Sequence, residues 1–220
     1  MNIVLITSVI NISNNPLSYS KTRSFCDSSN RFEDTLKTIN SARKYIKNSL
    51  VLLIECSDLS KHNEKILNES VDIFINVYKE PGVVEKVNSN SKSLGEATLT
   101  VKAIEYLLDN NIRFNNLFKI SGRYWLNDNF DYSKFDNNNI VVRYINPHNP
   151  IVSTVLYKIP SDIIKELFYF LINSEDELIN CIGYEMIFTS FIKTYNDCKI
   201  IKDKIGVNGY ISIDGCYIDI

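Results

Sequence analysis

Four cationic side chains, Arg23, Arg31, Lys92 and Arg123, stand in or beside segments that flank short apolar runs, and two carboxylates, Glu55 and Glu96, accompany them. Guanidinium groups suit phosphate oxygens because they offer paired donors in a fixed fork. A carboxylate at the end of a second strand is where a ribose or base is commonly hydrogen-bonded in nucleotide-binding sheets. Hydroxyl side chains complete the set: Thr7 after the first apolar run, Thr22 in Lys21-Thr22-Arg23-Ser24, and Ser121 in Ser121-Gly122-Arg123. Together these residue types suit a phosphorylated, nucleotide-like ligand. The usual fingerprints for one are missing, since the chain has neither a G-x-x-x-x-G-K-[ST] loop nor a G-x-G-x-x-G turn. It also lacks a G-x-S-x-G nucleophile elbow.

Zinc and disulfide chemistry are not expected. The five cysteines (Cys26, Cys56, Cys181, Cys198, Cys216) form no C-x-x-C pair, and the two histidines, His62 and His148, lie far apart. Free thiols fit a reducing compartment.

The elements that must position these residues follow from periodicity. Ile3–Ser8, Leu50–Ile54, Val71–Val77 and Leu117–Ile120 read as strands buried on both faces. Asn11–Ser29 is polar and rich in turn residues, a long loop. Asn30-x-x-Glu33 and Ser93-x-x-Glu96 have capping-box spacing, so Glu33 and Glu96 also read as helix-start residues. The helix after Asn30 presents Phe32, Leu36, Ile39 and Ile46; the helix after Ser93 presents Ala97, Val101, Ile104 and Leu108. A short helix is expected near Ser60–Leu67. The order β-α-β-α-β-α-β predicts a mostly parallel central sheet with helices on both faces, hence the α/β class. Ligands bind such sheets outside the carboxyl ends of the strands. The second half is mixed. Strands are expected at Ile140–Arg143 and Ser153–Ile159 around the turn Asn146-Pro147-His148-Asn149-Pro150, helices at Ser161–Asn173 and Glu177–Tyr195, and short strands near Ile200 and Ile211–Ile213.

With 220 residues the chain is expected to form one domain, 1–220, burying roughly 70% of its unfolded surface. An apolar fraction of 45% and a charged fraction of 23% exclude disorder and collagen as the main architecture. A net charge of −2 argues against nucleic acid as a partner. No apolar run approaches the roughly 20 residues that span a bilayer, and Met1 opens on an apolar run too short for a leader. A cytoplasmic protein is expected.

The segments Thr22-Arg23-Ser24, Arg31-Phe32-Glu33-Asp34-Thr35, Leu53-Ile54-Glu55, Lys92-Ser93-Leu94-Gly95-Glu96 and Lys119-Ile120-Ser121-Gly122-Arg123-Tyr124 occur in an order that resembles uncharacterised glycosyltransferase-like proteins of giant viruses and some bacteria. Those proteins have a nucleotide-diphospho-sugar transferase (GT-A) fold. The resemblance covers residues 3 to about 215 and implies transfer of a sugar from a nucleotide-sugar donor to a hydroxyl acceptor, such as a glycan. A viral gene would place the protein in host cytoplasm. Residues 1–125 would bind the nucleotide and 126–220 would serve the acceptor. Thr7, Thr22, Arg23, Arg31 and Glu55 would line the nucleotide pocket, with Lys92, Glu96, Ser121 and Arg123 near the diphosphate and donor sugar. GT-A enzymes usually carry a metal-binding D-x-D after the fourth strand, where this chain has Ser121-Gly122-Arg123. Arg123 could replace the cation, while Asp128 and Asp131 leave Mn2+ or Mg2+ open. For the catalytic base the resemblance points to Glu185, the one acid on an apolar stretch, with Asp214 as a second candidate. The rivals are a nucleotidyltransferase, whose Gly-rich loop is missing after the first strand, and a degenerate GT-A-like module that binds without catalysis.

Overall fold

The computed structural model describes residues 1–146 and 148–220. The expected turn around Pro147 therefore lies partly outside the described residues.

β1 (Asn2–Ser8) is buried along its whole length, as its unbroken apolar run requires. α1 (Ser28–Tyr45) returns to β2 (Ser49–Glu55), and α2 (Lys61–Ser70) leads to β3 (Ile73–Asn76). α3 (Val83–Val87) and α4 (Lys92–Asp109) precede β4 (Asn116–Ser121) and the short β5 (Tyr124–Leu126). β6 (Ile140–Asn146) and β7 (Asn149–Pro160) form a hairpin. α5 (Ile164–Asn173), α6 (Glu175–Ile179) and α7 (Tyr184–Ile192) follow, then β8 (Cys198–Ile201), β9 (Val207–Tyr210) and β10 (Tyr217–Asp219).

The main sheet has the order β3-β2-β1-β4-β7-β6-β8. β3, β2, β1 and β4 are mutually parallel, β7 is antiparallel to both neighbours, and β6 and β8 run parallel. This is the mostly parallel α/β arrangement, with a mixed second half, expected from the sequence. Register brings the strand ends level: Thr7 lies opposite Ser121, and Ser8 opposite Glu55. Ile3 and Leu5 of β1 face a core built with α4 and α7, whereas Val4 and Ile6 face a second core built with α1. A small antiparallel sheet, β10-β9-β5, extends the second side.

Several local expectations change. α1 begins earlier than Asn30 because the Asp27 carboxylate accepts the Asn30 amide at 2.8 Å. α4 begins at Lys92 because Ser91, not Ser93, accepts the Leu94 amide. Glu33 and Glu96 are thus not capping-box residues. The helix expected at Glu177–Tyr195 is two helices: Cys181 takes a left-handed backbone (φ 64°), and α7 restarts after Gly183. The strand expected at Ile211–Ile213 is a turn, with the pairing taken by Val207–Tyr210 and Tyr217–Asp219.

Candidate functional site

A cleft opens at the carboxyl ends of β1 and β4, between the α4 N-terminus and the loop that links β1 to α1. An inner part is lined by Thr7, Ser8, Arg31, Lys92, Glu96 and Arg123. It continues into a wider part of about 340 Å³ that shares Lys92, Glu96, Ser121 and Arg123 and adds Arg143, Thr154 and Glu185. That volume lies within the range of small-molecule sites.

β4 and α4 set the floor. Alternation along β4 turns Phe118 and Ile120 into the α1-side core and Lys119 and Ser121 toward α4. The Lys119 ammonium, wholly buried, donates to the Glu96 carboxylate and to Ser121 Oγ at 3.0 Å. Burial alone would raise the Glu96 pKa. The charge and hydrogen bond of Lys119, helped by Arg123 and Lys92, outweigh it and hold Glu96 below the usual carboxylate range. Glu96 is therefore an ionised carboxylate in the cleft wall.

Lys92, at the first turn of α4, has no hydrogen-bond or ion-pair partner among the described residues. Burial, then the charge of Arg123, push its pKa down to about 7. Arg123 follows β4 with its guanidinium 5.0 Å from the Tyr124 ring centre, and its Nε is buried without an acceptor. Arg31 is buried on α1. It donates from Nε to the Val9 carbonyl at 2.6 Å, and burial beside Arg123 lowers its pKa to about 10. Three cations thus meet in one cleft with fewer acidic partners than charges.

The turn at Gly122 lets these groups approach. Its amide donates to the Thr7 carbonyl, and its carbonyl accepts from Thr35 Oγ1 of α1. A Cβ there would lie 3.0 Å from Thr35 Oγ1 and 3.2 Å from Ser8 Cβ, so glycine is what fits. Thr38 Oγ1 holds the Tyr124 carbonyl in the same way, which explains the polar buried face of α1.

The loop over the cleft is tied down near its α1 end. Arg23 donates to the carbonyls of Val87 and Ser89, and the Phe25 amide to that of Ser212. Arg23 lines the inner cleft while spending much of its fork on backbone. Thr22 is exposed and faces neither part of the cleft. Glu55 lies beneath the cleft: its Oε1 accepts from the Ile10 amide at 2.9 Å and from Ser57, and its Oε2 is buried without a partner. Burial raises its pKa despite those bonds. Its place is under the loop after β1, holding that loop's backbone.

On the far wall, Glu185 in the first turn of α7 accepts from Thr154 Oγ1 at 3.1 Å and faces the wider cleft. Its apolar neighbours Ile187, Phe188 and Phe191 turn into the core. Asp214 is exposed, accepts the Cys216 amide and stands outside the cleft. Asp128 lies on the surface against Tyr45 and Lys44, and Asp131 accepts from Ser133; neither reaches the end of β4. The donor set does not fit a hard divalent cation, which takes several oxygen ligands including carboxylates. Glu96 is engaged by Lys119, Arg123 occupies the strand end, and among the described residues no three His, Cys, Asp or Glu side chains converge.

Thr154, Arg143 and Tyr19 line the cleft without having been expected there from the sequence, and Lys119 is the unexpected buried partner of Glu96. For Lys119 there was a signal, a single cation inside the apolar strand Leu117-Phe118-Lys119-Ile120.

No family model and no curated protein matches the chain in sequence. Its fold is similar to that of a glycosyltransferase involved in the glycosylation of the major capsid of PBCV-1, at 9% identity and a TM-score of 0.51, covering 91% of this chain and 81% of that one. It is also similar to the nucleoside-diphosphate-sugar pyrophosphorylase from Vibrio cholerae RC9, at 10% identity and a TM-score of 0.53, covering 92% and 93%. At these identities the likeness is one of fold: the α/β arrangement is shared with a glycosyltransferase and with a nucleoside-diphosphate-sugar pyrophosphorylase.

Proposed function

We propose that the chain is a glycosyltransferase that moves a sugar from a nucleotide-sugar donor to a hydroxyl acceptor, acting as one catalytic domain over residues 1–220. The observation that carries this reading is the meeting of Lys92, Arg31 and Arg123 in one cleft at the carboxyl ends of parallel strands. Those cations match a diphosphate in charge and in hydrogen-bond polarity. Lys92 and Arg123 take the diphosphate in place of a metal ion. Thr7, Arg23 and Arg31 form the nucleotide end, with Glu55 supporting the loop above it. Glu96, fixed by Lys119, and Ser121 face the donor sugar. The acceptor O–H attacks the anomeric carbon, the bond to the diphosphate oxygen breaks, and Glu185 takes the acceptor proton.

The test is release of nucleoside diphosphate from a panel of nucleotide sugars, with and without EDTA, by the parent chain and by Glu185→Gln and Arg123→Ala variants. Turnover that survives EDTA, falls by about 10²–10⁴ in E185Q and drops with a roughly ten- to a hundredfold weaker donor Kd in R123A supports the reading. Binding without turnover to any acceptor or to water selects the non-catalytic module. Formation of a nucleotide sugar and pyrophosphate from a nucleoside triphosphate and a sugar phosphate selects a nucleotidyltransferase.

A further inference from the structure

The wider part of the cleft is lined by two unlike sets of side chains. One is the charges already described. The other is aliphatic and aromatic: Ile145 on β6, Ile211 after β9, Ile218 on β10, Ile220 just after it, and Tyr19 on the loop between β1 and α1. Tyr19, Ile145 and Ile211 are 63%, 54% and 36% exposed. Single exposed apolar residues are ordinary, but several that come from separate elements to line one cavity are not scattered. Ile145 lies two residues beyond Arg143 on β6, and Ser153, Thr154 and Val155 of β7 line the same cavity. Glu185 lines the same wider part, which joins the inner cleft through Lys92, Glu96, Ser121 and Arg123.

Resting on the transferase reading, we infer that the acceptor is amphipathic: its reacting hydroxyl is carried on an alkyl aglycone that lies against Ile145, Ile211 and Tyr19. A free sugar or a purely polar glycan would leave these side chains in water and gain nothing from them. An alkyl group removes them from water and holds the hydroxyl near Glu185. Among the residues lining this part, five branched aliphatic side chains stand against three tyrosines, which favours an alkyl chain over a stacked sugar face.

The probe is a series of n-alkyl β-glucosides from methyl to octyl, titrated below their micelle concentrations and read by protein NMR. Affinity rises by about two- to fourfold for each added methylene, the upper figure being that of full burial, and the rise flattens in both Ile145→Ser and Ile211→Ser. These exposed positions tolerate serine, so a folded variant is available for comparison. Equal affinity for methyl and octyl glucosides overturns the inference. So does a chain-length dependence that both variants retain, because the alkyl group then binds elsewhere, such as the apolar hollow between α4 and α5. Donor binding is measured on the same samples. Retained donor binding without chain-length dependence refutes only the acceptor class, whereas absent donor binding refutes the transferase reading itself.

Discussion

The buried ammonium of Lys119 on β4 is ion-paired with Glu96 on α4, and the pair fixes the helix to the strand end where the cleft opens. The ammonium also lies 5.9 Å from the ring centres of Tyr157 and Tyr184, whose hydroxyls bond each other at 3.0 Å. Removing one member of such a pair strands the other charge in a desolvated site. Lys119→Met therefore destabilises the fold by about 3–5 kcal/mol, seen as a fall in Tm of roughly 10 °C for a chain this long. The double variant Lys119→Met/Glu96→Leu regains a large part of that loss. A K119M protein that melts with the parent removes the pair from the account. Because the folded Glu96 pKa lies below its unfolded value, its contribution is present above the unfolded pKa and is lost as pH falls through the folded one.

Lys92 predicts a pH dependence of the same sign in a higher window. Its folded pKa, about 7, lies below the unfolded value of 10.5. Between those values the unfolded chain holds the proton and the folded chain does not, so stability rises with pH across the window. Lys92→Gln flattens that rise. An anionic diphosphate draws the proton back, so donor binding near pH 8 takes up protons and weakens as pH increases. Calorimetry in buffers of different ionisation enthalpy reads the uptake directly. Proton release, or uptake unchanged in K92Q, contradicts the placement of Lys92 at the diphosphate.

Gly122 is constrained by space. With a Cβ 3.0 Å from Thr35 Oγ1 and 3.2 Å from Ser8 Cβ, Gly122→Ala forces α1 or β1 to shift and costs about 1–3 kcal/mol. Thr35→Ala relieves part of the clash while removing the hydroxyl that holds the Gly122 carbonyl. The two substitutions together are thus less damaging than their sum, which a double-mutant cycle in urea measures. Strict additivity would mean that the two residues do not share this contact.

The parallel half of the sheet was legible because β1 and β2 are near-continuous apolar runs and β4 is buried on both faces apart from its first residue, as a parallel sheet covered by helices on both sides requires. Helix starts were less so. Asp27 and Ser91 lie two or three residues ahead of the spacing that suggested Asn30 and Ser93, and a capping box names a pattern rather than the side chain that wins the amide. β5, β9 and β10 are three or four residues long, too short for any period to show. Within the cleft, Arg31, Lys92, Glu96, Ser121 and Arg123 were readable from their places beside strand ends. Thr22, Asp128 and Asp131 lie near those residues in sequence but on surface turns in space. Tyr19, Arg143 and Ile145 could not be found, because the long loop and the β6–β7 hairpin meet the cleft only through tertiary packing.

Arg123 separates stability from binding. Burial opposes its charge, but Tyr124, Glu96 and Glu185 outweigh that effect and keep its pKa above the ordinary value. Its Nε has no acceptor, an omission worth about 1–3 kcal/mol in an ordinary fold. Against this stands a ring contact with Tyr124 that contributes about 0.5–2 kcal/mol. Its charge also disfavours protonation of Lys92. These effects nearly cancel, so Arg123→Ala leaves Tm close to that of the parent, or raises it. Donor binding behaves otherwise, because charge-assisted hydrogen bonds to a diphosphate are worth about 1.5–3 kcal/mol, or roughly ten- to a hundredfold in Kd. Arg123→Lys restores the charge without the planar fork and recovers only part of that affinity. A large loss of Tm in R123A with unchanged donor affinity would make Arg123 a structural residue and leave Lys92 and Arg31 alone at the diphosphate.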